Sequence, residues 1–187
     1  AAQAASANYV YGPINLEQDN VEDVLANDNE YQRLKTTPLM HPPDNPDLGD
    51  YIMVPHIGSD SIGGAIIAKV KEYYNHAGNP RAGQDFEDGW PKWAHKVLVF
   101  QNTNDPTKGI ISYRGTADLQ DTYDDGFILF GMTRLHSRWN WCAVFAAATC
   151  AVLFNPNDID NSANGVLLTG HSLGGALGGA TYRTLMN

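Results

Sequence analysis

Ser172 stands between two glycines in Gly170-His171-Ser172-Leu173-Gly174, behind an apolar run and ahead of small residues in "GVLLTGHSLGGALGGATYRTL". A serine hydroxyl attacks an acyl carbon only when a base takes its proton, and the tetrahedral oxyanion that forms must meet preorganised N–H donors. A G-x-S-x-G in this setting offers the nucleophile together with one donor, the amide of the following residue, here Leu173, at the positive end of a helix. The second donor belongs on a loop after an earlier strand. "GIISYRGT" ends in Thr116, whose amide and hydroxyl are the candidates. The plainer alternatives are a serine that merely caps a glycine-rich helix, and an ordinary turn at Thr116.

Such a serine needs a strand, a sharp turn and a helix. "VLL" ahead of the motif is apolar and strand-forming, and "ALGGATYRTL" behind it is compatible with a helix. Gly170 and Gly174 lack Cβ atoms, so strand and helix can approach closely around a strained serine. Upstream, "KVLVFQ" (96–101) and "GIISYRGT" (109–116) read as strands joined by the turn-forming "NTNDPTK", a hairpin or a neighbouring pair. "YIMVPH" (51–56) reads as a short strand. "SDSIGGAIIAKVKEYYNHAG" reads as a helix with Ile62, Ile66, Lys69, Val70 and Tyr73 near helical spacing, capped by Asp60 or Ser61 and stopped by Gly78. The uncharged run 139–154 spans about 24 Å as a helix, short of the roughly 30 Å of a bilayer core, and predicts a buried helix whose Ala143, Ala147 and Ala151 lie close against a sheet. Asp158 and Asp160 follow in a polar turn without the spacing of a calcium loop. Strand, loop, helix, loop, strand, helix is the order of an α/β protein with a mostly parallel sheet flanked by helices, whose reactive groups gather at the carboxyl ends of strands.

Residues 1–48 read as an extension with one amphipathic helix, Val21 to Leu34, ending in four prolines between Pro38 and Pro46 that forbid regular helix or central strand. Residues 49–187 then form the domain. The chain has 187 residues, 43% of them hydrophobic, enough for a single core. A net charge of −9 repels phosphate backbones and anionic membrane faces, so no nucleic-acid partner is expected. No signal-peptide pattern opens the sequence and no N-glycosylation sequon occurs in it; neither fixes a compartment. Cys142 and Cys150, on one helix about 12 Å apart, are too distant to pair, since a disulfide needs Cα atoms within about 7 Å.

"VLLTGHSLGGAL" preceded by "GIISYRGTADLQDTYDDGF" resembles the class 3 lipase family, the fungal-lipase-like branch of the α/β-hydrolases. Tyr113, Arg114, Gly115 and Thr116 match that family's F-R-G-S/T. Asp121 and Asp125 match the acidic positions of its next motif, where Thr122 replaces a tryptophan. The resemblance covers roughly residues 50–187 and implies the N-terminal portion of an α/β-hydrolase fold. It makes Ser172 the nucleophile, Thr116 and Leu173 the oxyanion hole, and 117–135 the region of a lid. The chemistry it implies is hydrolysis of carboxylic esters, lipid esters foremost, with no metal or organic cofactor. Asp118, Asp121, Asp124 and Asp125 share a helical face that reads as solvated. His171 is expected to support the turn, and His41, His56, His76, His95 and His136 have no motif around them.

In α/β-hydrolases the acid and the histidine follow the serine in the chain. Only 15 residues follow Ser172 here. The first expectation is therefore that acid and histidine come from polypeptide C-terminal to this chain or from a fold-completing second chain. A non-catalytic interaction subunit is the alternative, and an upstream histidine used as the base is a third. An unpaired "GVLLTG" strand would leave backbone groups open, so residues 165–170 are expected to pair on both sides. A structure with that strand exposed weighs against the half-hydrolase architecture.

Overall fold

The computed structural model describes residues 4, 21–39, 50–56, 62–93, 96–115, 137–154 and 165–185. Its centre is a four-stranded mixed sheet with helices around it, an α/β arrangement in the broad sense. The strands β1 (Tyr51–Met53), β2 (Val97–Asn102), β3 (Gly109–Tyr113) and β4 (Val166–Gly170) lie side by side in that order.

The expectation of a mostly parallel sheet is corrected. β1 and β2 pair antiparallel, β2 and β3 pair antiparallel, and only β3 and β4 run parallel. β1 and β2 are antiparallel although a long helical segment joins them. For β2 and β3 the reason is the short connection, since the tight turn after Asn102 can join only antiparallel neighbours, and the passage from β3 to β4 is long enough to hold a crossover helix. In that turn the Asn102 side chain accepts from the amides of Asn104 and Asp105, both at 2.9 Å. β3 is buried at all five positions and β2 at all but Gln101, so both faces of the central sheet are covered.

A second correction concerns β4. Among the described residues it pairs with β3 alone and forms the sheet's edge, with Leu167 47% exposed. The expected pairing on both sides is not found, which weighs against the half-hydrolase architecture as drawn from the sequence.

The single helix expected from Val21 to Leu34 is two, α1 (Val21–Asn27) and α2 (Asn29–Thr36). Asp28 breaks it by capping the second: its carboxylate accepts the Tyr31 amide at 2.7 Å. Tyr31, Leu34 and Ala4 are buried in the same core as the sheet. Helix α3 (Gly63–His76) begins after Ile62 with no side-chain cap bond, and Asp60 and Ser61 fall outside the described residues. Gly78 ends it as expected. With φ at +73° it lets the Asn79 amide reach Tyr74 O (2.8 Å) while its own reaches Asn75 O (3.0 Å).

Helix α4 (Pro80–Trp93) has no counterpart among the elements read from the sequence. Its Phe86 and Trp90 stack against Trp141 and Phe145 of α5 (Ser137–Thr149), with ring centroids 4.9 to 5.9 Å apart. The expected buried helix is present, and its small-residue stripe is buried in part: Ala143 is buried, Ala147 and Ala151 are half-buried, and Cys142, Phe145, Ala146, Ala148 and Thr149 are also buried. α5 packs chiefly on α3 and on α6 (Leu173–Leu185), and its last turn widens into a π-helix, Cys150–Phe154. The Phe154 ring covers the backbone of Gly109, where a Cβ would overlap it. Neither Cys142 nor Cys150 is part of a disulfide.

Candidate active site

The parallel β3–β4 pair sets the site. Tyr113 lies opposite Gly170, so the carboxyl ends of both strands finish level and the segments after them leave side by side. β3 continues into buried Arg114 and Gly115, and the Arg114 amide donates to Lys96 O at 2.9 Å. β4 turns through His171 and Ser172 into α6.

Ser172 has φ +55°, the one left-handed non-glycine residue among those described. An L-residue reaches that region at a cost of about 1–2 kcal/mol, so the surroundings must impose it. Here they do. A Cβ on Gly170 would lie 2.5 Å from Gly174 O and 2.7 Å from Tyr113 O, and a Cβ on Gly174 would overlap the Tyr113 carbonyl. Strand and helix are thus jammed against each other and against β3. The chain has two residues in which to reverse, and the amides of Gly174 and Gly175 close the turn on His171 O (3.0 Å) and Ser172 O (2.9 Å).

The result leaves Ser172 exposed. Leu173 is 2% exposed and buries its side chain with Leu177 and Thr181 along the inner face of α6. As the first residue of α6, Leu173 holds an amide with no acceptor within the helix, aimed toward the serine end. Tyr113 anchors the assembly from below: fully buried, it donates its hydroxyl to Cys142 O of α5 at 3.2 Å. Burial holds its phenol well above the usual range, so it stays a donor.

Ser172 and Leu173, consecutive in the chain, both lie at this turn, Ser172 exposed and Leu173 buried. Thr116 lies outside the described residues, as do Asp118, Asp121, Thr122, Asp124, Asp125, the 117–135 segment, Asp158, Asp160, His41, His95 and His136. His56 is a core residue: fully buried, it contacts the rings of Trp90 and Phe145. His76 closes α3 and is exposed, and His171 is exposed within the turn. The sequence reading missed Tyr113 as the wall that both glycines meet; its only signal was its place at the end of the strand before Arg114-Gly115.

Away from the turn, a groove of about 350 Å³ lies between β4 and the second half of α6, lined by Cys150, Val166, Leu167, Leu168, Tyr182 and Leu185. Among the described residues no cluster of three or more histidine, cysteine or acidic side chains is placed to hold a metal, and no helix is long and apolar enough to cross a membrane. No family model matches this chain, and no curated protein or solved structure matches it.

Proposed function

We propose that the chain carries the nucleophile of a serine hydrolase acting on carboxylic esters, with lipid esters such as acylglycerols or phospholipids as the substrate class. The observation that carries the reading is the left-handed, exposed Ser172 wedged between Gly170 and Gly174 at a strand-to-helix turn. Strain of this kind concentrates at functional sites. In the reaction, Ser172 Oγ bonds to the acyl carbon while a histidine takes its proton; the alcohol leaves with that proton, and water then cleaves the acyl-enzyme. The Leu173 amide and Thr116 stabilise the oxyanion. The acid and the histidine are assigned to polypeptide C-terminal to these residues or to a complementing chain. The lipid preference rests on the "TGHSLGGA" and "YRGT" resemblance.

A serine-directed fluorophosphonate probe tests this on the native protein. Labelling that maps to Ser172 and disappears in Ser172→Ala is expected, and an unlabelled folded assembly would sink the reading. Hydrolysis of short against long acyl esters then tests the lipid preference. The second reading, a non-catalytic interaction subunit, is favoured by the open edge of β4, and it predicts that no labelling occurs.

A further inference from the structure

Tyr113 meets the serine-bearing helix twice. Its carbonyl is the wall against which Gly174 lies at the start of α6, and its phenol reaches Thr181 on the same buried face of that helix. Seven residues separate Gly174 from Thr181, two turns of helix or about 10 Å. One contact would leave α6 free to pivot on the sheet. Two contacts fix both where the helix begins and the direction in which it runs. Tyr113 also lies opposite Gly170, so the end of β4 is held by the same residue.

The polar contacts of the phenol have a direction. Its single proton goes to Cys142 O of α5 at 3.2 Å, so toward Thr181 the phenol oxygen can only accept. Thr181 fits the part of donor. Burial raises the phenol's pKa most, and the Thr181 hydroxyl lowers it in part, as a donor to the phenol oxygen does. The contact is looser than an aligned hydrogen bond, yet Thr181 Oγ is fully buried and has no other partner.

The geometry points to Tyr113 and Thr181 as positioning residues for Ser172: the polar chain from Thr181 through the Tyr113 hydroxyl to Cys142 O locks α6 between β3 and α5. What it holds constant is the place of the Ser172 turn and of the Leu173 amide relative to the Arg114-Gly115 segment that leaves β3. As a role in catalysis this rests on the reading of Ser172 as the nucleophile; as a hold on the turn it does not.

Tyr113→Phe keeps the ring and the carbonyl and removes only the oxygen. Thr181→Val keeps the shape of the side chain and removes its hydroxyl, and Thr181→Ser returns the hydroxyl. Two readouts apply to the whole chain in its native assembly: the rate at which a fluorophosphonate labels Ser172, and hydrogen exchange at the Gly174 and Gly175 amides, which close the turn on His171 O and Ser172 O. Tyr113→Phe and Thr181→Val should each slow labelling about tenfold, and speed exchange at those two amides about tenfold relative to the amides of β2 and β3. Thr181→Ser should recover both, and the double variant should be no slower than Tyr113→Phe alone, because both changes break one chain of contacts. Labelling and exchange at wild-type rates in Tyr113→Phe overturn the proposal. So does Thr181→Ser behaving like Thr181→Val, which would make the loss one of shape, and so does exchange that rises equally in β2 and β3, which would make it a general loss of stability. A wild-type protein that takes no probe while the exchange pattern holds refutes the nucleophile and leaves the hold on the turn standing.

Discussion

A single torsion angle separates two substitutions at Ser172 that remove the same hydroxyl. Alanine keeps a Cβ in the left-handed region, and glycine does not, so Ser172→Gly should be more stable than Ser172→Ala by about 1 kcal/mol in chemical denaturation. Equal stabilities would show that the turn stores no strain. Gly174→Ala should go the other way, losing about 2–3 kcal/mol, because the new methyl meets the carbonyl of Tyr113 and a backbone carbonyl in a paired strand cannot step aside. The motif made the serine and its glycines legible, since only those residue types permit the turn. The part played by the Tyr113 carbonyl was not legible, since any residue at that place could present the same backbone group. His56 shows the converse, a chemically suggestive side chain that the fold uses as filling between Trp90 and Phe145.

Among the elements, the stop of α3 and the α4–α5 contact carry the clearest expectations. Gly78→Ala, at φ +73° with open space around it, should cost about 1–2 kcal/mol from backbone conformation alone, read as a lowered denaturation midpoint. Phe145→Ala removes a ring touching His56, Trp90 and Trp141 and should cost about 3–5 kcal/mol, with a change in tryptophan fluorescence that reports the loosened stack. The β2–β3 hairpin, the end of α3 and the burial of α5 could be read in advance because each rests on local spacing or a turn residue. α4 could not. Its Phe86 and Trp90 stand among charges, and Gly83, Gly89 and Pro91 read as breakers, although Gly83 is where a Cβ would lie 3.2 Å from the Lys71 backbone of α3, a reason of packing and not of local propensity. The direction of β1 against β2 was equally hidden, since alternation along a strand is the same whichever way its neighbour runs and their connection is long.

For the molecule as a whole, the raised acidic groups set an alkaline limit. Burial lifts the Cys150 thiol from an ordinary 9.0 to about 11 and the Tyr113 phenol well above 10.0. Both fold in their neutral forms, so as pH rises past 9 the unfolded chain releases protons that the folded chain keeps, and stability falls. Cys150 alone accounts for about 2–3 kcal/mol lost between pH 9 and 11. Thermal melting at pH 8 and 10.5 should show the drop, and Cys150→Ala should make it shallower; an unchanged profile in that variant would exclude Cys150 as a cause. The sheet also has an order of assembly written into its connections. Gln101 and Gly109 pair across a short turn, whereas Gly109 and Val166 pair across 57 residues, and closing the longer loop is the slower and more costly step. The hairpin therefore forms early, and the β4–α6 turn, which takes its shape from the Tyr113 carbonyl, forms late. If Ser172 is the nucleophile proposed above, its labelling by a fluorophosphonate probe in the completed assembly should appear last in refolding, after the bulk of the secondary structure has returned, because the turn that exposes it is the last part of the sheet to close.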